Sequence, residues 1–102
     1  MSYESKLKTE FIDELFEGIL MLKNKEECYR FFEDICTIKE LQSLSQRLMV
    51  AKLLREKKTY NEIEEITGTS TATISRINRC LSYGADGYNM ILDRLKEKNE
   101  KG

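Results

Sequence analysis

Apolar positions recur at steps of three and four along nearly the whole chain, the spacing of helices that bury one face. Leu7, Phe11, Leu15, Ile19 and Leu22 follow this rule over residues 4–22, with Ile12, Phe16 and Leu20 alongside. That face is very wide for a surface helix, so it fits a core shared between two copies; a hydrophobic helix inside a monomeric bundle is the alternative. Asn24 with Glu27 opens a second helix carrying Cys28, Phe31, Phe32 and Ile35. Thr37 with Glu40 has the form of a capping box and opens a third, with Leu41, Leu44, Leu48, Ala51 and Leu54, ending near Arg55, Lys57 and Lys58. Those cations suit a helix C-terminus and can also bond phosphate.

Thr59 to Leu81 organises the rest. Thr59 and Glu62 form another capping-box pair, and Ile63 and Ile66 are expected to share one face of a short helix. Gly68 stands where a chain leaving a helix turns left-handed. Thr69, Ser70 and Thr71 are possible caps for a second short helix, in which Ile74, Ile77 and Leu81 make one stripe. Cap, helix, glycine turn, cap, helix is the order of a helix-turn-helix. Residues 82–87 read as a loop with Asp86 as a possible cap, and a last helix presents Tyr88, Ile91, Leu92 and Leu95 before a charged tail, Lys96–Gly102, expected to fray. With proline absent, the pattern predicts an all-α chain of six helices.

Opposite the Ile74/Ile77/Leu81 stripe lie Ala72, Ser75, Arg76 and Arg79, flanked by Thr71 and Thr73. Small side chains let a helix approach base edges, and arginine bonds guanine or phosphate through two parallel hydrogen bonds. No Asp or Glu occurs from residue 66 to 85, in a chain with 18 acidic residues. This predicts a DNA-reading helix; the alternative is an ordinary helical hairpin with a Ser- and Thr-rich second arm.

Charge has to be divided to be informative. The net charge is −1, yet residues 1–36 carry −4, residues 37–82 carry +3 and residues 83–102 are neutral. Local sign governs docking on a phosphate backbone, and so small an excess predicts modest, salt-sensitive non-specific affinity. At 102 residues the chain is expected to be one domain with a modest core. It has no apolar run near the roughly 20 residues of a membrane span and no signal-peptide pattern, so a cytoplasmic protein without membrane partners is expected. Cys28, Cys36 and Cys80 lack metal-type spacing and read as reduced, buried thiols. Histidine is absent, as are a phosphate loop and a nucleophile elbow, so an enzyme is not expected.

Six helices, with the reading pair fourth and fifth, resemble the tryptophan repressor family. The segment Thr59–Arg76 carries its pattern of an aliphatic in the first helix, the turn glycine Gly68, and Ala-Thr-Ile, a hydroxyl residue and Arg (Ala72–Arg76). Arg47 stands ten residues after Thr37, as in the family; the chain looks most like its small YerC/YecD branch. The resemblance implies a TrpR-like fold in an intertwined homodimer, with residues 1–58 as dimerisation helices, 59–81 as the helix-turn-helix and 86–97 as a C-terminal packing helix. It implies a sequence-specific transcriptional regulator, a repressor, binding double-stranded DNA in the major groove. The expected DNA-binding residues are Lys57, Lys58, Tyr60, Ser70, Thr71, Ala72, Thr73, Ser75, Arg76 and Arg79. A possible effector pocket, by the same resemblance, comprises Thr37, Arg47 and Arg76. Ile77 replaces the glycine after the second arginine and Cys80 replaces a ligand-fixing serine, so no cofactor, and not L-tryptophan, is expected. Asn61 and Glu64 also depart from DNA-contacting positions. A helical protein-interaction module, or a small-molecule sensor with weak DNA binding, are the other readings.

Overall fold

The computed structural model describes residues 3–101. Among them are six α-helices and no strand: α1 (Glu10–Leu20), α2 (Lys25–Ile35), α3 (Ile38–Arg55), α4 (Tyr60–Thr67), α5 (Thr71–Tyr83) and α6 (Gly87–Lys101). The chain divides into two compact units, Met1–Leu41 and Gln42–Gly102.

In the first unit, α1 is shorter than the apolar pattern predicts. Thr9 takes an extended conformation and its hydroxyl accepts the Ile12 N–H at 3.1 Å, so the helix starts at Glu10 and Leu7 falls outside it. At the other end Met21 is the C-cap, which leaves Leu22 outside as well. Neither α1 nor α2 has a buried residue: Phe11 is 88 % exposed and Leu20 74 %. Asn24 caps α2 by accepting from Glu27 N–H at 2.9 Å, but the Glu27 carboxylate accepts from Lys23 N–H, one residue before the cap. The Thr37–Glu40 capping box forms in both directions, at 2.7 and 3.1 Å.

The second unit holds the core. Val50, Ala51 and Leu53 of α3, Ile63 of α4, Ile74 and Ile77 of α5 and Leu92 of α6 are buried together, with Leu48, Leu54, Tyr60, Leu81 and Tyr88 packed against them. The α5 stripe is as predicted. On α3 the buried line is displaced toward Val50 and Leu53, and Leu44 is exposed. Ile66 does not share the buried face of Ile63: three residues at 3.6 per turn leave it about 60° away, which in a two-turn helix brings it into solvent. Ile91 and Leu95 of α6 are likewise more exposed than predicted, and Leu92 carries that helix's burial. The tail expected to fray is helical as far as Lys101, and Gly102 lies outside the described residues.

The cysteines differ from expectation too. All three are free, but Cys28 and Cys80 are exposed and Cys36 is half-buried. Leu81, not Cys80, continues the apolar stripe of α5, and α2, which carries Cys28, has no buried residue.

Candidate nucleic-acid interface

The corner leading into the helix-turn-helix is set by a left-handed residue. α3 ends with Lys57 N–H bonded to Leu54 O (3.0 Å) and Lys58 N–H to Leu53 O (3.1 Å), the paired bonds of a Schellman motif. Lys57 occupies its left-handed position (φ 68°), where glycine is usual. Two exposed lysines therefore stand directly before α4.

Thr59 and Glu62 then close their capping box, Thr59 N–H on Glu62 Oε1 at 2.8 Å and Glu62 N–H on Thr59 Oγ1 at 3.1 Å. The bonds from Thr59 hold the Glu62 carboxyl below its usual range, and nearby Lys58 adds to the effect. Tyr60, the first helical residue, packs its ring against the core. Gly68 ends α4 at φ 70°, its N–H on Glu64 O at 2.8 Å. The turn is held from within and without. Thr67 Oγ1 donates to Ile63 O (2.8 Å) and accepts from Thr69 N–H (3.2 Å), while Gln46 Nε2 of α3 donates to Thr67 O (3.1 Å). The Thr69 hydroxyl is buried without a hydrogen-bond partner among the described residues.

Of the possible caps of α5, Ser70 serves. Its Oγ accepts from Thr73 N–H at 3.3 Å and donates to Thr73 Oγ1 at 3.2 Å. Ser70 and Thr73, expected near the bases, are thus engaged with each other and with the helix N-terminus. Thr71, Ala72, Ser75, Arg76 and Arg79 are exposed, and neither arginine takes part in a hydrogen bond or ion pair among the described residues. The first turn of α5 holds no carboxylate. The outward surface is therefore small, hydroxylated and cationic, able to bond anions and polar base edges at close range. Asn61 and Glu64 are exposed on α4 beside it.

Arg55, adjacent in sequence to the lysine corner, is not part of that surface. Its guanidinium pairs with Asp93 and Asn89 of α6. Asp86, expected to cap α6, is left-handed (φ 69°); its carboxylate accepts from the Asn89 side chain. Neither Gln46 nor Asn89 was legible as a site residue, since no local motif marks an interaction made across helices.

The possible effector residues lie on both units. Thr37, in the first, is occupied in opening α3: its hydroxyl caps and its carbonyl accepts from Leu41 N–H at 3.1 Å. Arg47 and Arg76, in the second, are exposed. Burial pushes the Tyr88 hydroxyl up, the Cys80 thiol adds to the shift and the Arg47 charge opposes it. Ile77 is only 4 % exposed and belongs to the core.

A short helix, a left-handed glycine turn and a second short helix with a cationic outer face define a helix-turn-helix domain. The model of the Trp repressor protein family matches residues 10–96, and the chain belongs to that family. It is 63 % identical over 92 residues to the YerC protein of Bacillus subtilis, covering 90 % of this chain and 88 % of that one. Among solved structures, it superposes on a TrpR-like protein from Eubacterium eligens with a TM-score of 0.86 and 59 % identity, covering 89 % of this chain and 94 % of that one. A candidate Trp repressor from Staphylococcus aureus gives a TM-score of 0.85 and 57 % identity, over 89 % and 91 % of the two chains. At the level of the family, these likenesses support a DNA-binding regulator of transcription. No helix among the described residues is long and apolar enough to cross a membrane.

Proposed function

We propose that this chain is a cytoplasmic, sequence-specific repressor that binds double-stranded DNA as a homodimer and does no catalysis. The observation that carries the reading is the outer face of α5, where Thr71, Ala72, Ser75, Arg76 and Arg79 stand exposed with no carboxylate in the first turn. That face enters the major groove, and Lys57, Lys58 and Tyr60 hold the backbone. Ser70 and Thr73 contribute chiefly by capping the reading helix. Residues 1–58 supply the dimerisation helices, 59–81 the reading head and 86–97 the packing helix.

The dimer is supported by the first unit. Leu7, Phe11, Phe16, Leu20 and Met21 are each more than half exposed in the single chain. Large apolar groups left exposed together on one short segment fit an interaction surface. A second copy removes them from solvent, and two-fold symmetry makes the interface self-complementary.

The repressor works without L-tryptophan. The reading rests on the resemblance: Ile77, buried in the core here, stands where it puts a glycine, and Cys80 where it puts a ligand-fixing serine. Thermal-shift titration with L-tryptophan tests this point: no saturable rise in Tm is expected, since a ligand of the native state must raise it.

The DNA reading is tested by Arg79→Ala. Operator binding should weaken while the dimer and its melting stay intact; unchanged binding removes Arg79 from the interface. One observation favours a protein partner instead, namely the exposure of Ile66 (60 %) on α4 and of Tyr83 (85 %) at the end of α5. Their replacement by serine would then abolish partner capture and leave DNA binding untouched.

A further inference from the structure

We propose that Asn89, together with Arg55, is a positioning residue that fixes the reading helix α5 against the Lys57–Lys58 corner. The proposal rests on the DNA-binding reading above and assigns the device that gives it sequence discrimination.

Asn89 lies half-buried in the first turn of α6 and joins three elements. Its Nδ2 donates to Leu81 O of α5 at 3.1 Å and to the Asp86 carboxylate at 3.0 Å. Its main-chain oxygen and its Oδ1 accept from Arg55 Nη1 of α3 at 3.2 and 3.4 Å. The other guanidinium nitrogen of Arg55 pairs with Asp93, one turn further along α6. Both amide protons and the amide oxygen of Asn89 are thus engaged. Leu81 O is one of the last four carbonyls of α5, which have no partner inside the helix, so Asn89 caps the reading helix from outside.

The other end of the relay matters as much. Arg55 is the last residue of α3, and the chain turns through left-handed Lys57 to Lys58 immediately beyond it. The two parts expected to touch DNA, the lysine corner and α5, are therefore braced through one amide on α6. Core packing among Leu53, Ile77 and Leu92 holds these helices together, but the hydrophobic effect is non-directional. Hydrogen bonds fix the register that packing leaves soft. A reading helix must be placed accurately to bond base edges, whereas phosphate attraction tolerates displacement.

The test is Asn89→Ala, a substitution that leaves the charge unchanged, with Arg55→Lys as a milder second variant that keeps the charge and loses the planar fork. Each is compared with the wild type on a duplex recovered from a random pool and on a scrambled duplex of equal length, at a temperature where circular dichroism shows all three folded. Asn89→Ala should lower the preference for the selected duplex about tenfold, on the scale of one lost base-pair match. Affinity for the scrambled duplex and the salt slope should stay as in the wild type, and Arg55→Lys should shift in the same direction by less. An unchanged preference in both variants, or parallel losses on both duplexes, overturns the relay while leaving the DNA reading intact. A wild type without any preference overturns the DNA reading itself, and the relay with it.

Discussion

Replacing Ile77 tests whether this position belongs to the core or to a ligand pocket. Ile77→Ala removes three carbons from a side chain that is 4 % exposed and packed with Ile74, Leu92 and their neighbours. At about 0.8 kcal/mol per buried carbon the transfer loss is roughly 2.4 kcal/mol. A cavity adds to this, but half-buried Leu81 and Tyr88 flank the core and can lean inward, which limits that addition. Alanine's better helix propensity returns a few tenths, so the net loss is about 3 kcal/mol. Urea unfolding at one fixed protein concentration measures it, the concentration being held because association contributes to apparent stability. Ile77→Gly should lose roughly 1 kcal/mol more, from the cost of glycine inside a helix. A loss below about 1 kcal/mol for Ile77→Ala would show that the side chain does not pack in the core as described.

Three further outcomes follow from the turns and caps. Gly68→Ala should cost about 1–2 kcal/mol in the same unfolding assay, through the left-handed φ of 70° alone, because an added Cβ meets nothing within 4 Å; Gly68→Asn should recover part of the loss. Lys57→Gly should raise stability by up to about 1 kcal/mol by relieving the left-handed lysine. The same change should make the salt dependence of DNA binding shallower, by about 0.9 for each phosphate that the lysine no longer neutralises. Glu62 has a folded pKa below its ordinary value of 4.5, so its contribution is fully present above that value. It is lost as pH falls through the lower folded pKa; Glu62→Gln should therefore flatten the acid limb of stability against pH, and an unchanged limb would refute the role of the capping box.

Much of this architecture was legible because its signals are local. The Thr37–Glu40 and Thr59–Glu62 pairs and Gly68 each settle within four residues in sequence, the Ile74/Ile77/Leu81 stripe recurs at steps of three and four, and each is found as read. Misjudged positions are those decided by what lies across from them. Ile91 and Leu95 have the right period yet stay more exposed than Leu92, and Ile66 lies about 60° from the buried face of Ile63. Leu7 has the period too, but Thr9 stops the helix before reaching it. Arg55 reads as one of three basic residues, and only the fold shows it turned to Asp93 and Asn89. The hydroxyls of Ser70 and Thr73 could serve a cap or a base edge equally well by sequence, and they are paired with each other.

The central claim is that α5 reads DNA as one half of a symmetric pair. Selection of bound duplexes from a random pool, at near-physiological salt and without added tryptophan, tests it most directly. The account predicts a palindrome whose half-sites lie about one helical turn, roughly 34 Å, apart. Recovery of sequence-blind, salt-sensitive binding alone would contradict it, and would assign the exposed face of α5 to a protein partner instead.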